Sequence, residues 1–211
     1  VVVTVRLLVT GFTPFPGAPV NPTEHLIRHL EDNPPLAGDD VALRLAVLPV
    51  DYGLAIPALE NIAAAFRPHV AVHFGLAKEA RGFRLERLAR NEIAARIPDN
   101  SGSRPEKSEI RPGLGHRPSG LPLAGIESAL RERGHVVEWS DDAGGYLCNY
   151  VFFHSAAGLC GGLDAAMSGF VHVGPVALPE RPPDEAEMDF NAFVQGAEIV
   201  LQEAVSEFRS K

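Results

Sequence analysis

Three residues of this 211-residue chain could together carry out nucleophilic chemistry. Cys148 follows the small-residue turn 143–145 and opens an apolar segment that predicts a helix. A helix N-terminus has unpaired N–H groups and partial positive charge, which favour the nucleophilic thiolate. His172, on the apolar strand-like segment 169–173, offers a base, and Glu86 could orient that base. These residue types predict a cysteine hydrolase, in which the base takes the thiol proton.

The same residues also have an ordinary structural interpretation. Buried free cysteines commonly act as small hydrophobic residues, and lone strand histidines are commonly core or rim residues. Glu86 could pair with Arg87 or Arg90 on a surface strand or helix. Spacing along the chain therefore leaves the catalytic and the structural interpretations open.

Composition excludes several classes of partner. The chain carries 19 basic and 27 acidic residues, a net charge of −8, which argues against nucleic acid or an anionic membrane as a partner. No apolar run approaches the roughly 20 residues needed to span a bilayer. Cys148 and Cys160 do not make a disulfide framework, so the sequence predicts a reducing, cytoplasmic location.

Strand-like and helix-like segments alternate along the chain, which predicts one α/β domain over 1–211. Its predicted architecture is a three-layer α/β/α fold with a mixed, mostly parallel sheet. Residues 97–122 are rich in Pro, Gly and Ser and predict a long loop, a common place for a functional lid. Strands are predicted at 3–9, 41–50, 68–75, 136–140 and 169–173; helices are predicted from Asn21, over 52–66 and 125–133, from the cysteine turn, and after a cap at 184–187.

Other residues suggest ligand binding or exclude it. Phe12 and Phe15 lie in a Gly/Pro-rich loop after the first strand, where open α/β sheets bind ligands. Arg96 has small and apolar neighbours, so we interpret it as partly buried and in need of an acceptor such as a substrate oxygen. Dinucleotide, phosphate and serine-hydrolase motifs are absent from the sequence. His69 and His73 lack a cysteine or carboxylate at ligand spacing, so no metal or other cofactor is predicted.

Five segments together resemble one known family, pyroglutamyl peptidase type I, also called pyrrolidone-carboxylate peptidase. The resemblance covers nearly the whole chain, and the cysteine segment and the ARIPDN segment are its most specific parts. The segments are Leu8-Val9-Thr10-Gly11-Phe12-Thr13-Pro14-Phe15 with Asn21-Pro22-Thr23, Leu85 to Asn91, Ala95-Arg96-Ile97-Pro98-Asp99-Asn100, Ser140 to Asn149, and Gly169-Phe170-Val171-His172-Val173.

The resemblance implies a role for each site residue. Cys148 is the nucleophile, His172 the base, and Glu86 the residue that holds the imidazole. Backbone N–H groups at the helix start, with Arg96, hold the oxyanion. The expected activity is release of 5-oxoproline from peptides with an N-terminal pyroglutamate, through a thioester and without a cofactor, by a homo-oligomer that the family suggests is a tetramer. The residues expected to bind substrate are Phe12, Phe15, Asn21, Leu76 and Leu147.

The chain departs from the family pattern at three places. Leu76 stands where bacterial relatives commonly have the Gln of a Gln-Ala-Gly-Gly stretch, Arg84 where Ser or Thr is usual, and the segment after His172 is longer. These departures motivate a second hypothesis, a ligand-binding relative that does not turn substrate over. A third hypothesis, a purine-phosphorylase-like enzyme on a similar scaffold, is disfavoured because the sequence has no phosphate cradle.

Overall fold

The computed structural model describes residues 4–36, 40–164, 166–179 and 188–211. Helices and strands alternate along most of this part of the chain, as the sequence pattern predicts. In chain order the elements are β1 (Val5–Phe12), α1 (Pro22–Asp32), β2 (Val41–Leu48), α2 (Ala55–Phe66), β3 (Val70–Leu76), β4 (Phe83–Glu86), β5 (Leu88–Ala89), β6 (Arg117–Pro118), α3 (Leu123–Glu132), β7 (Val137–Ser140), α4 (Leu147–Ala156), β8 (Met167–Val173), β9 (Val176–Ala177), β10 (Met188–Asp189) and α5 (Phe190–Arg209).

The central sheet has six strands in the order β2-β1-β3-β8-β4-β7. Its pairings are parallel except for β4 against β8, which is antiparallel. In that antiparallel pair Arg84 lies opposite His172, and Glu86 lies opposite Phe170. Because side chains alternate across a strand, Glu86 and His172 lie on the same face of the sheet, as diagonal neighbours.

Helices cover both faces of the sheet, so the predicted α/β fold with a mixed, mostly parallel sheet is confirmed. On one face α1 and α5 pack on alternate residues of β1, such as Leu7 and Val9, and α3 packs beside α5 and over β7. On the other face α2 and α4 pack on Leu8 and Phe12 of the same strand. Strands covered on both faces must be apolar throughout, which explains the continuous apolar run at the start of the chain.

Some predicted boundaries differ from the structure. The first strand continues through Phe12. The last helix begins at Phe190, and the side chain of its N-cap, Asp189, accepts hydrogen bonds from the backbone N–H groups of Asn191 and Ala192. The predicted cap at 184–187 lies outside the described residues. Within 97–122 the chain is mostly irregular, as expected, but β6 pairs with β5, and Ser108 forms a bridge with Ile93.

The described residues contain no helix that is both long enough and apolar enough to cross a membrane.

Candidate active site

Cys148 is the second residue of α4, as the glycine turn before it predicts. Gly144 adopts φ +82°, a left-handed conformation that glycine tolerates well. A Cβ on Gly145 would lie 2.5 Å from the Cβ of Ala94, so only glycine lets segment 92–97 pack against this turn. Tyr150 donates the first helical bond, to the Tyr146 carbonyl, and the N–H groups before it therefore have no partner within the helix.

His172 lies between the sulfur and a buried carboxylate. Its Nδ1 is 2.8 Å from Oε1 of Glu86, and its ring faces the cavity that the Cys148 side chain also lines. Glu86 is fully buried, and its second oxygen, Oε2, has no hydrogen-bond donor among the described residues. The carboxylate fixes the ring orientation and leaves Nε2 for the sulfur, the arrangement in which an imidazole can serve a nucleophile.

The charge on the His172 ring depends on both of these neighbours. Burial by itself lowers the pKa of His172, but the Cys148 sulfur and the Glu86 carboxylate raise it, and the pKa reaches about 9. The ring is therefore protonated at neutral pH when the sulfur is a thiolate. An imidazolium in this position can stabilise the anionic sulfur that attacks a substrate.

The sulfur and the imidazole open on a cavity of about 420 Å³, which we call the first cavity. The structure brings five sequence-predicted residues to its wall, all except the Asn21 amide being apolar side chains. Those residues are Phe12, Phe15, Asn21, Leu76 and Leu147. The volume and the apolar wall suit a small, uncharged ring better than an ion.

Loop contacts shape the entrance of the first cavity. Asn21 caps α1 and also donates from Nδ2 to the Thr13 carbonyl at 3.1 Å, so it organises the loop that carries Phe15. Lys78 Nζ donates to the Gly17 carbonyl and ties the end of β3 to the same loop. The segment in which this chain departs from the family pattern thus supports one side of the cavity.

The interpretation of Arg96 as partly buried is wrong. Its side chain is exposed, and it lines a second cavity of about 580 Å³ but not the first. The flanking apolar residues misled the prediction because Ala95 packs inward while Arg96 points away from it. The two cavities adjoin, since both are lined by Glu79, Ile97, Asp142, Gly144 and Tyr146.

Sequence reasoning missed two residues that shape the site. The ring of Tyr146 lies 6.0 Å from that of Phe15 across the first cavity, and its hydroxyl donates to the Pro98 carbonyl at 2.9 Å. Gly75 lies under the nucleophile, because a Cβ there would be 2.9 Å from the Cys148 sulfur. The position of Tyr146 two residues before the cysteine was a usable signal, whereas nothing near Gly75 in the sequence indicated the contact.

Alkylation should distinguish the two cysteines. Cys148 is partly exposed in the first cavity, whereas Cys160 is fully buried, and burial and then Glu60 raise its pKa to about 12. We expect iodoacetamide at neutral pH to label Cys148 at least about tenfold faster than Cys160. Peptide mass spectrometry over a time course measures both rates in one sample. Equal rates in the folded protein would contradict the assignment of Cys148 as the reactive thiol.

A cysteine beside an imidazole that a carboxylate orients, on an α/β sheet, defines the class of cysteine hydrolases. Comparisons with known proteins narrow that class. The family model of pyroglutamyl peptidase matches residues 5–206. The pyrrolidone-carboxylate peptidase of Pyrococcus furiosus is 37% identical over 210 residues, covering 94% of this chain and 99% of that protein. The protein of the same name from Gloeobacter violaceus is 34% identical, covering 96% and 98%.

Solved structures agree with the sequence comparison. A crystal structure of Pf-PCP(1-204)-C has a TM-score of 0.86 at 34% identity, covering 96% of this chain and 97% of that one. Pyrrolidone carboxyl peptidase from P. furiosus gives 0.84 at 35% identity, covering 97% and 100%. The chain belongs to the pyroglutamyl peptidase family, which confirms the predicted family and the prediction of a peptidase.

Proposed function

We propose that this protein is a cysteine exopeptidase that removes N-terminal pyroglutamate from peptides. The observation that carries the proposal is the Cys148–His172–Glu86 arrangement at the apolar first cavity, in a chain of this family. The 5-oxoproline ring occupies the first cavity, with the exocyclic carbonyl carbon of the scissile peptide bond at the sulfur. Most of the wall is apolar, which matches a cyclic amide without charge, and its charged residues are Lys78, Glu79, Arg84 and Asp142.

The reaction proceeds through an acyl-enzyme. The Cys148 thiolate attacks the carbonyl carbon of the pyroglutamyl residue, and the oxyanion accepts hydrogen bonds from the free N–H groups at the start of α4. These backbone donors replace Arg96 in the oxyanion role, because Arg96 does not line the first cavity. His172 gives its proton to the leaving amine, and the thioester forms. His172 then takes a proton from water as the water attacks the thioester, and 5-oxoproline leaves.

A fluorogenic pyroglutamyl-coumarin amide tests the proposal. The purified protein should release the coumarin from this substrate, and it should not release it from the matched prolyl amide, which lacks the ring carbonyl. Binding of 5-oxoproline in calorimetry without any release of coumarin would overturn the peptidase and favour the non-catalytic relative. This second candidate rests on Leu76, an apolar residue that lines the first cavity where bacterial relatives commonly have Gln.

The charge on His172 predicts how activity depends on pH. The leaving amine needs the imidazolium proton, and the pKa of His172 is raised to about 9. We therefore expect kcat/KM, which reports the free protein, to hold through neutral pH and to fall as the pH rises through about 9. A kcat/KM–pH profile with a stable fluorogenic substrate measures this alkaline fall. A fall centred near 6.5 instead would show that the sulfur and the carboxylate do not hold the proton on the ring.

The second cavity is the natural place for the peptide that leaves. Ion pairs engage Arg90 with Asp142 and Lys107 with Glu92, whereas Arg96 has no carboxylate or carbonyl acceptor among the described residues. The segment that carries Arg96 is joined to the glycine turn, because Ala94 N–H donates to the Gly145 carbonyl at 2.9 Å. Arg96 is therefore placed to bind a carboxylate on the leaving side of the scissile bond.

Paired substrates test that role. For Arg96→Gln we expect kcat/KM on a pyroglutamyl dipeptide with a free carboxylate to fall about threefold to tenfold more than on the same dipeptide amide. Arg133→Gln, an exposed arginine that lines neither cavity, is the matched control. An equal loss on both substrates would show that Arg96 does not bind that carboxylate.

A further inference from the structure

A buried chain of polar side chains lies beneath the active site. Thr10 Oγ1 is 2.7 Å from Nδ1 of His73, and Nε2 of His73 is 2.8 Å from Oγ of Ser155, which in turn hydrogen-bonds Oγ of Ser168. None of the four residues is more than 3% exposed. Burying polar groups is costly compared with apolar packing, so their presence in a core needs a reason.

The positions of these groups follow the positions of the reacting groups. Ser155 comes seven residues after Cys148 on α4, which is two helical turns along the same helix face. Ser168 comes four residues before His172 on β8, on the same face of the strand. The polar chain therefore joins the same helix and strand that meet at the sulfur and the imidazole, one layer deeper in the core.

A third strand contributes to both layers. His73 comes two residues before Gly75 on β3, and a Cβ on Gly75 would lie 2.9 Å from the Cys148 sulfur. Between the layers lies Phe170, whose ring centroid is 4.8 Å from the ring of His172 and 6.3 Å from that of His73. Because Ser155 and Cys148 belong to the same helix, a shift of α4 at Ser155 also moves the sulfur.

The protonation state of His73 allows it to link two elements through hydrogen bonds at both ring nitrogens. Burial lowers the pKa of His73 to about 3, so the ring is neutral at physiological pH and has one donor and one acceptor nitrogen. Hydroxyl groups can serve either nitrogen, so Thr10 and Ser155 satisfy both. Hydrogen bonds hold a distance and an angle, whereas apolar contacts alone permit a helix to slide.

We propose that His73, Ser155 and Ser168 are positioning residues that hold α4 in register on β3 and β8, so that the Cys148 sulfur stays in contact with His172. Removing one hydroxyl lets the helix shift by a fraction of an ångström and weakens the sulfur–imidazole contact. The consequence for turnover rests on the proposed function, whereas the consequence for the reactivity of the thiol does not.

The test uses Ser155→Ala and Ser168→Ala, with Ile126→Val as a control that loses stability in the core on the other face of the sheet. We expect each serine variant to lower kcat on the coumarin substrate by about tenfold with KM within about twofold. The pH profile of Cys148 alkylation should move in the serine variants and not in the control. Ser155→Thr, which keeps the hydroxyl, should restore kcat and the alkylation profile towards the wild-type values.

Two outcomes separate the inference from the proposed function. Serine variants that unfold more easily but keep the wild-type kcat and the wild-type alkylation profile would overturn the positioning role. If the wild-type protein releases no coumarin, the proposed function fails, and the alkylation profile alone decides the inference. If a serine variant does not fold, the Ser155→Thr variant and the remaining serine variant still give the comparison.

Discussion

Replacing Cys148 with alanine is expected to lower kcat/KM on a pyroglutamyl amide by about 10⁵-fold or more. The sulfur is the atom that forms the thioester, and residues that act as one catalytic unit lose nearly all of their effect when the nucleophile is removed. Because the first cavity keeps its other walls, the variant should still bind 5-oxoproline in calorimetry. Binding without turnover would show that the fold survives and that only the chemistry is lost.

Cys160→Ala is the matched control for this experiment. Cys160 is buried in the core among apolar residues and does not line the first cavity, so its loss should cost some stability and little activity. Steady-state kinetics with active-site titration compares the two variants at equal concentrations of folded protein. Retention of more than a few per cent of activity by Cys148→Ala would refute the thioester mechanism.

The second large effect is expected for Glu86→Gln. The carboxylate supports the imidazolium through the 2.8 Å contact with Nδ1, and an amide of nearly the same shape cannot supply that charge. We expect kcat to fall roughly 10⁴-fold, as when the acidic member of a catalytic triad is replaced by its amide. Because Glu86 is one of the groups that raise the pKa of His172, the alkaline limb should also move to a pH below about 9.

The pH of the alkaline fall in activity distinguishes an effect on the charge of His172 from damage to the fold. Glu127→Gln removes a carboxylate that pairs with Arg131 on the surface of α3, and it should leave both kcat and the limb unchanged. A fall in kcat without any shift of the limb would mean that Glu86 supports the fold and not the charge on His172. The full pH–rate profile of each variant provides the measurement.

Local signals predicted much of the fold and most of the candidate site. Alternation of apolar strands and helices predicted the layers, because each element shows its own periodicity. The glycine turn before Cys148 predicted the helix start, and Phe12 and Phe15 lie at the cavity as expected. These inferences succeed because the chemistry that causes them lies within a few residues of the chain.

Other features depend on contacts between distant segments. The side-chain amide of Asn91 holds part of the irregular region 97–122. It donates to the Arg111 and Leu114 carbonyls and accepts from the Arg111 N–H, and no local periodicity in the sequence indicates these contacts. Arg96 was misplaced for the same reason, since which side of the segment faces the core is set by its packing on the glycine turn. The role of 97–122 as a lid stays a prediction.

The sequence by itself determined the residue types of the site and two of the elements that carry them, a helix start for the thiol and a strand for the imidazole. It left the carboxylate of Glu86 on a strand or a helix, and the structure places it at the end of β4. Only the tertiary structure decided that the three meet. Their meeting depends on the antiparallel register of β4 against β8 and on the seating of α4 over the sheet. Strand register and the position of a helix on a sheet depend on pairing and packing between residues far apart in the sequence. No short segment of the chain therefore determines them.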